Sequence, residues 1–282
     1  MNNDFILVLN CGSSSLKFSL INPANGSTLL SGLAERLLSE HAIINIKYNG
    51  DKQQYAVSAP FDHQTAISCL VAQLNQLNLT DCITAIGHRV VHGGETYCQP
   101  TLINDDVKAA IKNLARLAPL HNPANLTGII AAEAAFPALK QVAIFDTAFH
   151  QTMPEKAYIY GIPYALYKQH GIRRYGFHGT SHYFVAQQAA NVIDKPLAQC
   201  SFISAHLGNG CSIAAIKDGK SVDTSLGMTP LEGVMMGTRS GDIDPGIIFH
   251  LINQLNYSVQ DVDNMLNKES GLLGVSGISN DC

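Results

Sequence analysis

The chain has 282 residues, 46% of them apolar, and a formal net charge of −4 from 18 basic and 22 acidic side chains. This is enough apolar material for two medium-sized cores, so two domains are expected. With no basic tract, neither nucleic acid nor an acidic membrane face is an expected partner.

Asp4 stands where a signal peptide needs basic residues, and the apolar run Phe5–Leu9 stops at once. No apolar run approaches the roughly 20 residues of a membrane helix. Seven widely spaced cysteines without a C-x-x-C pair argue for reduced thiols in a cytoplasm, against a disulfide framework or a zinc knuckle.

Phe5–Leu9 predicts a strand, Gly12–Ser15 a turn, residues 16–21 a second strand with period-two alternation, 22–26 a turn and 28–33 a third strand. Residues 42–48 and 54–57 predict a hairpin closed at Asn49-Gly50, a pair that favours the tight primed turns. Ala66, Leu70, Leu74 and Leu77 change the spacing to helical. Then come a strand at 83–87, helices at about 105–117 and 124–135, and a strand at 141–146 whose unbroken apolar run suits burial on both faces.

The second half repeats the grammar. Residues 200–206 predict a strand, LGNGCS at 207–212 a glycine-rich turn, and 213–217 and 221–224 two more strands around Asp218–Lys220. A small-residue turn between the first two strands of each half suggests duplication, with the halves meeting near residue 149. Glycine lets backbone approach a ligand, and successive N–H groups with serine hydroxyls form a nest for anionic oxygens. An ordinary hairpin turn prefers the same residues. Neither a Walker motif nor a dinucleotide fingerprint is present.

Arg89 lies between two histidines in GHRVVHGGE (87–95), and Arg239 in a glycine- and acid-rich loop, GTRSGDIDPG (237–246). A planar guanidinium suits carboxylate or phosphate, with a structural ion pair to Glu95 or another acid as the alternative for Arg89. With Asp146 at a strand end, these are the groups an anionic substrate and a metal need. His121 is held between two prolines. His178 and His182 are four apart, a spacing that suits a metal less well here than polar contact with an anion, because no acidic partner accompanies them. His41, His63, His170 and His250 read as surface or structural. No G-x-S-x-G elbow occurs, and phosphoryl transfer, which works by positioning and charge neutralisation, fits the inventory better than hydrolysis.

The segments LNCGSSSLKF (9–18) and VAIFDTAFH (142–150) resemble the two signature segments of the acetate kinases. GHRVVHGG, APLHNP (118–123), RRYGFHGTSH (173–182), AHLGNG (205–210) and GTRSGDIDPG follow the same family in the same order. The resemblance covers essentially the whole chain. It implies an α/β, duplicated two-lobed actin-like ATPase fold, with lobes at 1–149 and 150–282. It implies a cytoplasmic phosphotransferase acting on a carboxyl group: reversible, Mg²⁺-dependent transfer from ATP to acetate, giving acetyl phosphate and ADP, with Mn²⁺ as a substitute metal. Propionate or butyrate kinase is the alternative, and a non-catalytic member of the same fold a more distant one.

By the same resemblance, Asp146, Arg89, Arg239 and His178 are catalytic, with Arg89 also at the substrate beside Val91, Leu120, His121, Phe177 and Pro230. Ser15, Lys17, His206, Leu207, Gly208, Asn209, Gly210 and Asp281 bind nucleotide, and Asn10 lies on the metal side. A pocket for one methyl group discriminates chain length weakly, at about 1–3 kcal/mol per methylene, so propionate is an expected side substrate. A homodimer through the second lobe is implied too. Cys211 departs from the small residue common after the phosphate-loop glycine. The closing run GLLGVSGISNDC (271–282) reads as a loop with no element after it. Since the family continues for about a further third, a truncated, poorly active form is expected.

Overall fold

The computed structural model describes residues 4–119 and 121–281. Two compact units divide between Phe145 and Asp146: Met1–Phe145 and Asp146–Cys282.

The first unit is built on an eight-stranded mixed sheet in the order β5-β4-β3-β2-β1-β6-β8-β7. β1 (Phe5–Cys11), β2 (Leu16–Ile21), β3 (Thr28–Glu35), β4 (Ile43–Tyr48) and β5 (Asp51–Ala56) form an antiparallel meander. The β4–β5 turn has Asn49 and Gly50 both at positive φ (50° and 92°), as a primed turn requires. β1 buries alternate residues Phe5, Leu7, Leu9 and Cys11, so one face of the strand meets the core. β6 (Ile83–Val90) lies parallel to β1, and β8 (Lys140–Phe145) parallel to β6, with the two-residue β7 (Thr101–Leu102) antiparallel at the edge. β8 alternates between buried and half-buried residues, where burial on both faces is expected.

Three helices serve these crossovers. α1 (His63–Gln76) buries His63, Ala66, Ile67, Leu70 and Leu74. The expected 105–117 helix is α2 (Asp105–Asn113) followed by a 3₁₀ turn at Leu114–Arg116, and α3 spans Asn122–Ala135 with Pro123 in its first turn. The α1 cap gives a direct test. Asp62 accepts from the Thr65 N–H at 2.8 Å and its hydroxyl at 2.7 Å, and these bonds, the hydroxyl first, lower its carboxyl pKa. Asp62→Ala is expected to cost about 1 kcal/mol. Because the folded-state pKa is depressed, that contribution is present above the ordinary value of 3.8 and is lost as pH falls through the lower folded value. Urea melts of both proteins at pH 7 and pH 3 should show the gap narrowing in acid.

The second unit carries a three-stranded antiparallel sheet, β11-β10-β9, from β9 (Phe202–His206), β10 (Ser212–Lys217) and β11 (Lys220–Thr224). Helices stand where the sequence pattern names none: α4 (Glu155–Tyr158), α5 (Tyr164–His170), α6 (Gly179–Val192), α7 (Pro245–Asn253) and α8 (Val259–Lys268). The run from Gly271, expected as a loop, forms a short helix, α9 (Gly271–Ser276). Its glycines give it poor intrinsic propensity. Tertiary bonds compensate: Leu272 N–H donates to Met236 O (2.8 Å) and Leu273 N–H to Gly237 O (3.0 Å), and Gly277 closes the helix at φ 66°.

Candidate functional site

In the first unit, three positions named from sequence fall side by side on adjacent strands. Lys17 on β2 pairs directly with Asn10 on β1, and Arg89 on β6 donates from Nη1 to Asn10 Oδ1 at 3.4 Å. The turn between β1 and β2 is closed by Gly12 N–H donating to Ser15 O at 2.8 Å, which sets Ser15 at the entry of β2. Val91 is buried just past β6. His121 caps the backbone of α3 without a side-chain cap bond, and Leu120 lies outside the described residues.

Two asparagines missed from sequence hold this half in shape. Asn122 is fully buried: Oδ1 accepts from His92 N–H (3.0 Å) while Nδ2 donates to His92 O (3.1 Å) and Ile111 O (3.2 Å). Asn125 accepts from Val91 N–H (3.0 Å) and donates to Cys11 O (2.7 Å). Together they tie the ends of β6 and β1 to the first turn of α3. Asn122 stands inside the quoted motif APLHNP. Asn125 carries no local signal, because its partners lie 34 and 114 residues away.

In the second unit, Asp146 is buried directly after β8, and its carbonyl accepts from Gly179 N–H at 2.9 Å. That bond sets the first turn of α6 against Asp146. His178 precedes the helix in the left-handed region, φ 57°. Its ring stacks on His206, with centroids 4.0 Å apart. Phe177 is buried, and its carbonyl meets His150 Nε2 at 3.0 Å.

Leu207, Gly208 and Asn209 are exposed in the β9–β10 loop. Asn209 is gripped from the far end of the chain: its carbonyl accepts from Gly237 N–H (3.0 Å), and its Oδ1 from Asn280 Nδ2 (3.1 Å), next to Asp281. Gly210 lies between two further named residues. A Cβ there would fall 3.2 Å from Arg239 Nη1 and 3.6 Å from His178 Cε1. Arg239 Nη1 donates to Pro230 O at 3.0 Å, and burial lowers its pKa. An arginine stays charged nonetheless.

The loop carrying Pro230 is braced by an acid the sequence reading passed over. Glu232 accepts from Arg174 Nη2 at 2.6 Å and from the Tyr160 hydroxyl, which in turn accepts from Met228 N–H at 2.9 Å. Burial, then Glu232, raises the Tyr160 pKa, so the phenol remains a donor. The second unit thus gathers His178, His206, Gly210, Pro230 and Arg239: a guanidinium and an imidazole around a glycine. Such a cluster can bind and stabilise an anionic oxygen.

The chain matches the model of the Acetokinase family over residues 5–282. It is 56% identical to the acetate kinase of Shewanella sp. (strain W3-18-1), covering all of this chain and 71% of that one. Among solved structures it resembles Porphyromonas gingivalis acetate kinase, with a TM-score of 0.93 and 44% identity over 99% of this chain and 71% of that one. A propionate kinase from Francisella tularensis subsp. tularensis SCHU S4 aligns with a TM-score of 0.94 and 49% identity, at the same coverage. The actin-like ATPase fold expected from the motifs is therefore the fold of this chain. The chain belongs to the acetokinase family.

Proposed function

We propose that the chain is an acetate kinase that transfers the γ-phosphoryl group of ATP directly to acetate, reversibly and without a covalent enzyme intermediate. A carboxylate oxygen of acetate bonds to the γ-phosphorus as the bond to the β–γ bridging oxygen breaks, and that oxygen leaves on ADP. Charge balances without proton transfer. The protein's task is positioning and neutralisation of the equatorial oxygens. The carrying observation is the convergence of Arg239 and His178 on Gly210, donors aimed where such charge develops.

In this reading Arg89 and Arg239 hold the carboxylate and phosphoryl oxygens, His178 donates to the phosphoryl group, and Asp146 is the acid at the reacting centre. Val91, Leu120, His121, Phe177 and Pro230 are assigned to the acetate. Ser15, Lys17, His206, Leu207, Gly208, Asn209, Gly210 and Asp281 take the nucleotide. Asn10 offers an amide oxygen to Mg²⁺. Among the described residues no cluster of three or more His, Cys, Asp or Glu side chains forms a metal cage, so the donors fit a hard cation carried mainly on phosphates and water. When bound, the metal neutralises phosphate charge.

We extend the reading to a cytoplasmic homodimer formed through the second unit. Cys11, Cys69, Cys82, Cys98, Cys200 and Cys211 are free thiols, in keeping with a reducing compartment, and no described helix is long and apolar enough to cross a membrane.

The test traps acyl phosphate as hydroxamate from ATP, Mg²⁺ and acetate, with Arg239→Ala as the control for host kinases. It is run on this chain and, beside it, on a chain carried to the relatives' full length. Hydroxamate above the control supports the reading, and none from either folded protein overturns it. Acetate giving a higher kcat/KM than propionate or butyrate separates it from the alternative acyl kinases.

A further inference from the structure

Beneath His178 runs a file of alternating serines and histidines. His178 Nδ1 lies 2.9 Å from Ser212 Oγ, Ser212 Oγ 2.7 Å from His182 Nε2, and His182 Nδ1 3.0 Å from Ser204 Oγ. Residues far apart in sequence reach this line for a simple reason. Ser204 and His206 are two apart on β9 and so share a face of the sheet. Ser212 pairs directly with His206 across β9–β10, and the first turn of α6 lays His178, Ser181 and His182 over that face. Ser181 Oγ meets His206 Nδ1 at 2.9 Å, so the ring stacked on His178 is also held.

The Ser212 hydroxyl has one proton and two imidazole neighbours. It donates to one and must accept from the other, so the protons along the file are ordered together. In one order Ser204 donates to His182 Nδ1, His182 Nε2 to Ser212, and Ser212 to His178 Nδ1. The proton of neutral His178 is then on Nε2, on the ring edge that faces Gly210: a Cβ there would lie 3.8 Å from Nε2. In the reverse order His178 turns a bare lone pair to the same place, which an anionic oxygen would repel.

We propose that Ser212 and His182 are positioning residues for His178, holding its ring and its Nε2 proton toward the phosphate-loop glycine so that it enters the reaction as a hydrogen-bond donor. The inference rests on the assignment of His178 made above. Burial, reinforced by His150 and His206, lowers the His182 pKa to about 4, which keeps it the singly protonated link that either order needs. Arg239 flanks Gly210 on the other side, and the His206 ring stacks on His178, so both stand with His182 among the groups beside His178.

Ser212→Ala deletes the link without adding volume. With histidine ¹⁵N-labelled and acetyl phosphate present without ADP, so that no turnover occurs, the wild-type His178 shifts are expected to report the Nε2–H tautomer. Ser212→Ala should move them toward a mixture of tautomers, lower kcat about tenfold and leave both KM values within twofold. Ser212→Thr, which restores a hydroxyl, should recover the wild-type tautomer. A folded Ser212→Ala protein with wild-type tautomer and kcat overturns the proposal. Should that variant not fold, Ser204→Ala at the far end of the file is read the same way, and unchanged shifts there overturn it. Undiminished kcat in His178→Gln would instead overturn the assignment of His178, with the tautomer shift remaining the readout of the file.

Discussion

Arg239→Ala is expected to lower kcat with acetate and ATP about 10²–10³-fold, the loss seen when one preorganised donor to a developing oxyanion is removed, or about 3–4 kcal/mol of barrier. The reason lies in how the side chain is held. Its Nη1 is anchored on Pro230 O at 3.0 Å, in a loop braced by Glu232, Arg174 and Tyr160. The guanidinium therefore does not reorganise when charge appears. Arg239→Lys keeps the charge but loses the planar fork, and should recover only part of the rate. Little stability should be lost, because the fork's strong protein bond is to a single carbonyl, so matched melting curves accompany the kinetics. An alanine variant within threefold of wild-type kcat would remove Arg239 from the chemistry.

Gly179→Ala should damage stability and rate together. A Cβ at this position would stand 2.3 Å from the Asp146 carbonyl oxygen and 3.0 Å from Phe149 Cβ. The first obstacle is backbone, so the helix must move, at an overpacking cost of about 1–3 kcal/mol. The same movement stretches the 2.9 Å bond from Gly179 N–H to Asp146 O and carries His178 and His182 away with the first turn of α6. The expected outcome is a lower denaturant midpoint and a kcat reduced more than tenfold. Gly161→Ala is the control: nothing lies within 4 Å of its Cβ position, and its midpoint should stay at wild type. Wild-type kcat in Gly179→Ala would mean that contact between Asp146 and α6 is not what orders the site.

The β-meanders of both units were legible as short alternating runs and Asn-Gly or Asp-Gly turns, because strand period and turn conformation depend on neighbours within a few residues. The family, and with it the acyl phosphotransferase chemistry, was legible because seven motifs stand in order along the chain. Other features depended on contacts across distance. α9 forms from a glycine-rich run because Met236 and Gly237, more than thirty positions earlier, accept its first N–H groups. Asn125, Glu232 and Ser212 are ordinary polar residues in sequence. Burial makes an unpaired polar group costly at Asn125 and Ser212, half-buried Glu232 braces a loop, and the fold places their partners 34, 58 and 34 residues away. The kinds of group available for catalysis are a local property of the chain. The proposed setting of the His178 proton rests on a file of side chains that exists only once β9, β10 and α6 have packed.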